Sequence, residues 1–176
     1  TGRLAPPMGA SFEWILAAED EALYLMASDA GYGFLVKGAD LHTKNKAGKA
    51  LITLPTAAKV LPPMEVQALE SQLLAVVTNE GRLLVFALKE LPILSRGKGN
   101  KIIGITAERA AKREEWVVGC ALVSAGSSLI VQSGKRTLTL KPDDLEHYYG
   151  ERGRRGSKLP RGFQRVEQIW ADQATP

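Results

Sequence analysis

Hydrophobic positions along the chain fall in short runs separated by turn residues, and long amphipathic faces are missing. Leu23-Tyr24-Leu25-Met26-Ala27 leads through Asp29-Ala30-Gly31 into Tyr32-Gly33-Phe34-Leu35-Val36. Fifty residues on, Leu73-Leu74-Ala75-Val76-Val77 leads through Asn79-Glu80-Gly81 into Arg82-Leu83-Leu84-Val85-Phe86. A looser third copy joins Leu129-Ile130-Val131 to Ser133-Gly134-Lys135-Arg136-Thr137-Leu138-Thr139-Leu140. Each copy predicts a β-hairpin whose turn glycine supplies the positive φ that closes a tight loop. The first strand of each pair is apolar nearly throughout. A strand covered on both faces reads that way, whereas one with a wet face alternates.

Two further strands per unit are expected. One opens the unit (12–17, 64–69 and 116–122), and one follows a basic loop (49–54 and 101–105). Only 107–115 reads as helix. The units run 11–60, 61–114 and 115–165, with partial strands left over at 1–6 and 165–171. The expected fold is therefore all-β: a single domain over 1–176 with about three complete blades of four antiparallel strands and partial ones, arranged like a propeller. The competing reading is an unrelated β-sandwich in which the 50-residue spacing is coincidence.

Composition alters this picture little. The chain has 176 residues, 45% hydrophobic and 24% charged, which suits a folded domain and excludes wholesale disorder. No apolar run approaches the ~20 residues of a membrane helix, and 1–7 lack a signal-peptide core. The first residue is Thr1, so a piece of a longer protein is expected. A lone cysteine, Cys120, excludes a disulfide within one chain and a cysteine zinc site. A cytoplasmic protein is expected.

Charge distribution is more informative than the overall +4. Residues 1–40 carry −4, while 41–60 carry +4 and both 96–113 and 151–165 carry +5. The bursts recur at one phase of the repeat, and two of the three lie in Gly-rich loops. Lys and Arg would meet phosphates by charge, and Gly would let backbone N–H groups approach the same oxygens. The candidate phosphate contacts are Lys44, Lys46, Lys49, Arg96, Lys98, Lys101, Arg152, Arg154, Arg155, Lys158 and Arg161. Solvated charged loops are the plain alternative, although that reading leaves the shared phase unexplained.

Four strings carry a family resemblance: Leu25-Met26-Ala27-Ser28-Asp29-Ala30-Gly31-Tyr32-Gly33-Phe34, Asn45-Lys46-Ala47-Gly48-Lys49-Ala50-Leu51-Ile52-Thr53-Leu54, Gly97-Lys98-Gly99-Asn100-Lys101-Ile102-Ile103 and Gly150-Glu151-Arg152-Gly153-Arg154-Arg155-Gly156. In that order they resemble the C-terminal domain of the A subunit of bacterial topoisomerase IV (ParC), a gyrase A C-terminal-like β-pinwheel. The resemblance covers nearly the whole chain. It implies a truncated pinwheel whose basic rim binds and bends DNA without reading sequence, presenting the transported segment to the catalytic core of a type IIA topoisomerase during decatenation and relaxation. The partners it implies are double-stranded DNA, the B subunit, the rest of the A subunit, plus a bacterial condensin, and the location it implies is the nucleoid. The Gln-Arg-Arg-Gly-Gly-Lys-Gly box of gyrase is absent. Arg96-Gly97-Lys98-Gly99-Asn100-Lys101 and Arg152-Gly153-Arg154-Arg155-Gly156 are degenerate counterparts, which favours topoisomerase IV.

No catalytic site is expected. His42 and His147 have neither triad nor metal-ligand spacing, and no Gly-x-x-x-x-Gly-Lys-Ser/Thr loop exists. Tyr148-Tyr149 lack the surroundings of a topoisomerase nucleophile and are read as packing residues. Glu19-Asp20-Glu21 and Asp143-Asp144 read as turn residues. The domain is expected to be no enzyme on its own and to hold no cofactor, with ATP and Mg used by other domains of the enzyme. The other functional class left open is a protein-interaction propeller that docks the enzyme core or a condensin.

Overall fold

The computed structural model describes residues 21–40, 55, 57–61, 63–94, 99–124 and 126–172. The strands expected at 1–6, 12–17 and 49–54 lie outside the described residues. The three hairpins form as their patterns predict. β1 (Leu23–Ser28) pairs with β2 (Tyr32–Lys37), β4 (Leu73–Thr78) with β5 (Arg82–Ala87), and β8 (Ser128–Ser133) with β9 (Arg136–Leu140). Gly31 and Gly81 close the first two turns at φ 91° and 78°.

The remaining strands are β3 (Met64–Glu65), β6 (Asn100–Lys101), β7 (Val117–Val123), β10 (Ser157–Lys158) and β11 (Gln168–Asp172). They do not stay within the units that the sequence suggests. The sheets run β3-β1-β2-β6, β10-β5-β4-β7 and β11-β8-β9. Thus the strand that opens one unit pairs with the hairpin of the unit before it, and the strand after a basic loop does the same on the other edge. The expectation that each four-strand sheet comes from one contiguous unit is corrected here. The reason is geometric: both edges of a hairpin need partners, and the strands that arrive there belong to the following stretch of chain.

Alternation explains the double-sided burial. In β1, Leu25 and Ala27 face the second sheet while Tyr24 and Met26 face away. In β4, Leu74 and Val76 face the first sheet, whereas Ala75 and Val77 pack with Leu129 and Val131 of the third. The middle sheet is therefore sandwiched, and truncating a fully buried residue such as Leu74 would cost about 2–5 kcal/mol. An apolar cavity of about 160 Å³ remains between β1, β3 and β7. Cys120 lines it, and burial pushes its thiol up to about 12.

A clasp recurs at the hairpin turns. Asp29 N–H donates to the Lys59 carbonyl at 2.9 Å, and Lys59 N–H donates to Asp29 Oδ1 at 2.9 Å. Fifty residues on, Asn79 N–H donates to the Trp116 carbonyl at 3.0 Å, and Trp116 N–H donates to Asn79 Oδ1 at 2.8 Å. An Asx side chain at the first turn position thus fixes where the next unit's opening strand begins. At the third turn Ser133 Oγ donates to the Arg165 carbonyl at 2.9 Å.

The helix expected over 107–115 is shorter, and it is not alone. α1 spans Ala107–Ala111, with Thr106 Oγ1 accepting from Arg109 N–H at its start. It ends in a Schellman pattern: Glu114 N–H donates to the Arg109 carbonyl and Arg113 N–H to the Ala110 carbonyl. Arg113 takes the left-handed position at φ 57°, where Gly is usual. That reversal turns Glu115 inward and sends the chain into β7. A second short helix, α2 (Pro142–Leu145), begins where Lys141 N–H donates to Asp144 at 3.1 Å. The 3-10 turns Leu88–Glu90 and Glu146–Tyr148 and a helical stretch at 38–40 are the other described helical segments.

Arg113 keeps its strained backbone because its guanidinium forks onto both carboxylate oxygens of Asp29, at 3.1 and 3.0 Å. The Asp29 side chain is only 6% exposed. Arg113→Gly would relieve roughly 1–2 kcal/mol of left-handed strain but leave a buried carboxylate short of its partner, at about 1–3 kcal/mol or more. The expected outcome is net destabilisation in urea unfolding. A Gly variant more stable than the parent would mean that the ion pair contributes less than the backbone strain.

Candidate nucleic-acid interface

Among the described residues, the segments flanking the second and third basic loops dock on one strand of the preceding hairpin. Ile93 bridges Leu35 of β2, with Leu35 N–H donating to the Pro92 carbonyl at 2.8 Å and Leu94 N–H to the Leu35 carbonyl at 2.7 Å. The chain then crosses 95–98, which lie outside the described residues, and returns as β6, pairing Asn100 with Gly33 and Lys101 with Tyr32. The next loop repeats the arrangement. Tyr149 bridges Val85 of β5, and β10 returns to pair Ser157 with Leu83 and Lys158 with Arg82. Ile102 N–H reaches the Gly31 carbonyl and Leu159 N–H the Gly81 carbonyl, each at 2.8 Å. Lys101 and Lys158 are therefore structural equivalents, both placed beside the residue that follows a turn glycine.

The glycines ahead of these lysines serve a purpose that the sequence reading did not anticipate. Gly99 (φ 85°) and Gly156 (φ 78°) lie so close to the preceding hairpin that a Cβ would sit 2.3 Å from the Gly33 carbonyl oxygen and 2.6 Å from that of Leu83. They let the loop come down onto a sheet edge. At least these two are required by protein packing, whatever the loop binds.

Of the predicted contacts, Lys44, Lys46, Lys49, Arg96 and Lys98 lie outside the described residues. Lys101 is half-buried, donates from Nζ to the Ile105 carbonyl at 3.0 Å and lies 5.9 Å from the Tyr32 ring centre. Arg152 donates to the Lys101 carbonyl at 3.1 Å, and Gly104 N–H donates to the Arg154 carbonyl at 2.8 Å, so this loop is packed onto the segment after β6. Arg154 is exposed and, among the described residues, pairs only with exposed Glu151 at 3.1 Å. Lys158 and Arg161 are exposed and make no ion pair among the described residues.

Arg155 faces the other way. It donates to the Gly104 carbonyl at 2.6 Å and to Glu115 Oε1 at 2.7 Å, and lies 3.8 Å from Glu80. Arg109 of α1 reaches the same Glu115 oxygen at 2.9 Å and also hydrogen-bonds Glu80. The Glu80 hydrogen bond raises the pKa of Arg109 further above its ordinary value. Glu115 is fully buried, and its Oε2 has no partner among the described residues. The two arginines and two glutamates tie α1, the second turn and the third basic loop together. Sequence reasoning missed this cluster. Its arginines, Arg109 and Arg155, fall in separate charge bursts of the sequence, which gives no sign that they meet.

Tyr148 is buried, lies edge-on to His147 with ring centres 5.0 Å apart, and has a phenol pKa pushed up by burial and by Asp144. Tyr149 is 49% exposed. Among the described residues no helix is long and apolar enough to cross a membrane, and no group of three or more His, Cys, Asp or Glu side chains is placed to hold a metal ion.

Three sheets stacked in sequence order, each completed by the next unit, define a β-propeller of the pinwheel type. The chain belongs to the family described as DNA gyrase C-terminal domain, beta-propeller, which it matches over residues 23–61 and 72–124. Among its relatives, the A subunit of DNA topoisomerase 4 from Pseudomonas aeruginosa is 60% identical over 98% of this chain and 23% of that protein. The corresponding protein of Escherichia coli K12 is 45% identical over the same shares. The chain thus spans about a quarter of the length of these relatives. The solved E. coli ParC C-terminal domain superposes with a TM-score of 0.77 at 39% identity, covering 89% of this chain and 62% of that one. A DNA gyrase A C-terminal domain shares the fold, with a TM-score of 0.60 at 16% identity over 87% of this chain and 48% of that one.

Arg155→Ala should lower stability by about 1–3 kcal/mol. It strips a hydrogen-bond donor from a buried carboxylate, and the loss is moderated because Arg109 remains and Arg155 is 41% exposed. Neighbouring Arg154→Ala should leave stability within about 0.5 kcal/mol. Equal unfolding midpoints for the two variants would show that the cluster does not anchor the loop.

Proposed function

We propose that this chain is the DNA-binding and DNA-bending domain of the A subunit of a topoisomerase IV. It holds the transported duplex against its rim and presents it to the catalytic core during decatenation and relaxation. The observation that carries this reading is the shared anchoring of the basic loops. The segments flanking 95–98 and the loop between Tyr149 and Ser157 both dock on the second strand of the preceding hairpin, so Lys101 and Lys158 stand at the same edge of successive sheets. A row of positive charge at one edge suits a curved polyanion, and the described helices are too short to read a groove, so contacts go to phosphates and not to bases. Catalysis, ATP and Mg belong to other domains of the enzyme in this reading. The partners are double-stranded DNA, the B subunit and the remainder of the A subunit, and the place of action is the cytoplasmic nucleoid.

Binding should be indifferent to sequence, with log K falling by about 0.9 per contacted phosphate per decade of salt. Replacing Lys44, Lys46 and Lys49 together by Glu should weaken binding to every duplex alike, measured by gel shift. Salt-tolerant affinity for the catalytic core or a condensin, with none for DNA, would instead support the docking-platform reading.

The topological consequence is limited. Bending 20–30 base pairs by 40–90° costs of order 1–6 kcal/mol, and each loop that meets phosphate offsets part of it. Both recognisable boxes are degenerate, and in the second, Arg152 and Arg155 bond the protein itself. Bending without a full wrap is the expected result. Nicking and religating a plasmid with the chain bound should change linking number little, while fluorescence transfer between duplex ends should rise. A large linking change per bound molecule would overturn this expectation.

A further inference from the structure

The turns of the three hairpins are equivalent positions, and they differ in charge. The first carries Asp29, which takes up Arg113. The second carries Glu80, which takes up Arg109 and lies 3.8 Å from Arg155. At both places an acid on the turn neutralises the arginines brought to it. The third turn has no acid: it is Ser133-Gly134-Lys135-Arg136, and Lys135 and Arg136 are exposed.

The chain brings more positive charge to that turn. After β10, Phe163 N–H donates to the Pro160 carbonyl at 3.0 Å, folding Arg161 and Gly162 into a tight reversal. A Cβ on Gly162 would lie 3.0 Å from Arg136 Nη1, so the reversal touches the hairpin tip. Ser133 Oγ holds the Arg165 carbonyl on its other side. Arg161 and Arg165 are exposed, and Lys158 sits at the head of the same segment. None of these five cations makes an ion pair among the described residues. Glu167, the nearest acid in sequence, makes none either, and its N–H donates to the Gln132 carbonyl at 2.9 Å.

We infer that the third hairpin turn, with Lys135 and Arg136 flanked by Arg161 and Arg165, is a phosphate-contact site for duplex DNA. This rests on the DNA-binding reading above and adds Lys135, Arg136 and Arg165 to the contacts expected from the basic loops. The physical argument is the missing counter-charge. Four cations lie on the turn and on the segments docked against it, and no acid on this turn supplies the counter-charge that Asp29 and Glu80 supply in the first two hairpins. A phosphate oxygen supplies the same negative charge from outside, with release of counterions as the favourable term.

The test uses the 176-residue chain, a mixed-sequence duplex of about 40 base pairs, and anisotropy titrations from low to moderate salt. Lys135→Gln with Arg136→Gln should flatten the slope of log K against log salt by about 1.8, with a loss on the order of tenfold per contact near 0.1 M. Arg161→Gln with Arg165→Gln should act in the same direction, and matching circular dichroism and melting curves exclude misfolding. A variant-free measurement runs in parallel: bound duplex should protect Lys135 from acetylation while exposed Lys89 and Lys112 stay reactive. If the parent binds DNA with a steep slope, yet both double variants keep that slope and Lys135 stays reactive, the turn is no contact site. If the parent itself binds no DNA, the functional reading fails first, and this inference fails with it.

Discussion

Everything that positions the basic loops depends on a pairing each hairpin cannot make with its own chain segment. β2 needs a neighbour along its outer edge, and Asn100 and Lys101 provide it from more than 60 residues downstream. β5 receives Ser157 and Lys158 from more than 70 residues downstream. Such contacts must overcome the entropy of closing a long loop before they return any stabilisation. The sheets are therefore interdependent, and long-range pairing of this kind predicts slow, cooperative folding.

The same exchange explains why positive charge is displayed at the rim. The segments on either side of 95–98, and both ends of the loop after Tyr149, are pinned to the backbone of one edge strand. Gly99 and Gly156 bring the returning strand within reach of the edge, so the glycines that mark these loops are tied first to sheet assembly. Lys158 beside Gly156 is left exposed, while Lys101 beside Gly99 is half-buried.

Much of this was legible in the sequence. Both-sided apolar runs such as Leu73–Val77 gave the sandwiched strands, and the 50-residue recurrence of turn glycines gave the repeat. Strand exchange was not legible, because Lys101-Ile102-Ile103 looks the same whichever hairpin it borders. The helix was overextended because Arg113, Glu114 and Glu115 have good helical propensity. Tertiary demands on Asp29 and Glu115 outweigh that propensity and turn the chain at Arg113. At the site, charge bursts were visible, but the direction of each side chain was not. Arg154 and Arg155 are adjacent in sequence, yet one faces solvent and the other binds a buried carboxylate. Lys135 and Arg136 escaped notice because two cations in a hairpin turn do not register as a burst.

Acids in this fold act less by lowering the net charge than by deciding where positive charge is spent. Glu115 is buried without full hydrogen bonding, an arrangement that Coulomb attraction to two arginines barely offsets. An apolar residue there would serve a stable core as well or better. What Glu115 adds is register: with Glu80 it holds the third basic loop against α1 and the second turn. Asp29 does the same for the first turn through Arg113. Arginines at these two turns are consumed by the structure, and cations without an acid in reach stay available at the surface. The net charge of +4 is untouched by these internal pairs, because Asp29, Glu80 and Glu115 cancel Arg113, Arg109 and Arg155. The local field at the rim is set by the sorting of charges, and that sorting follows from the turns.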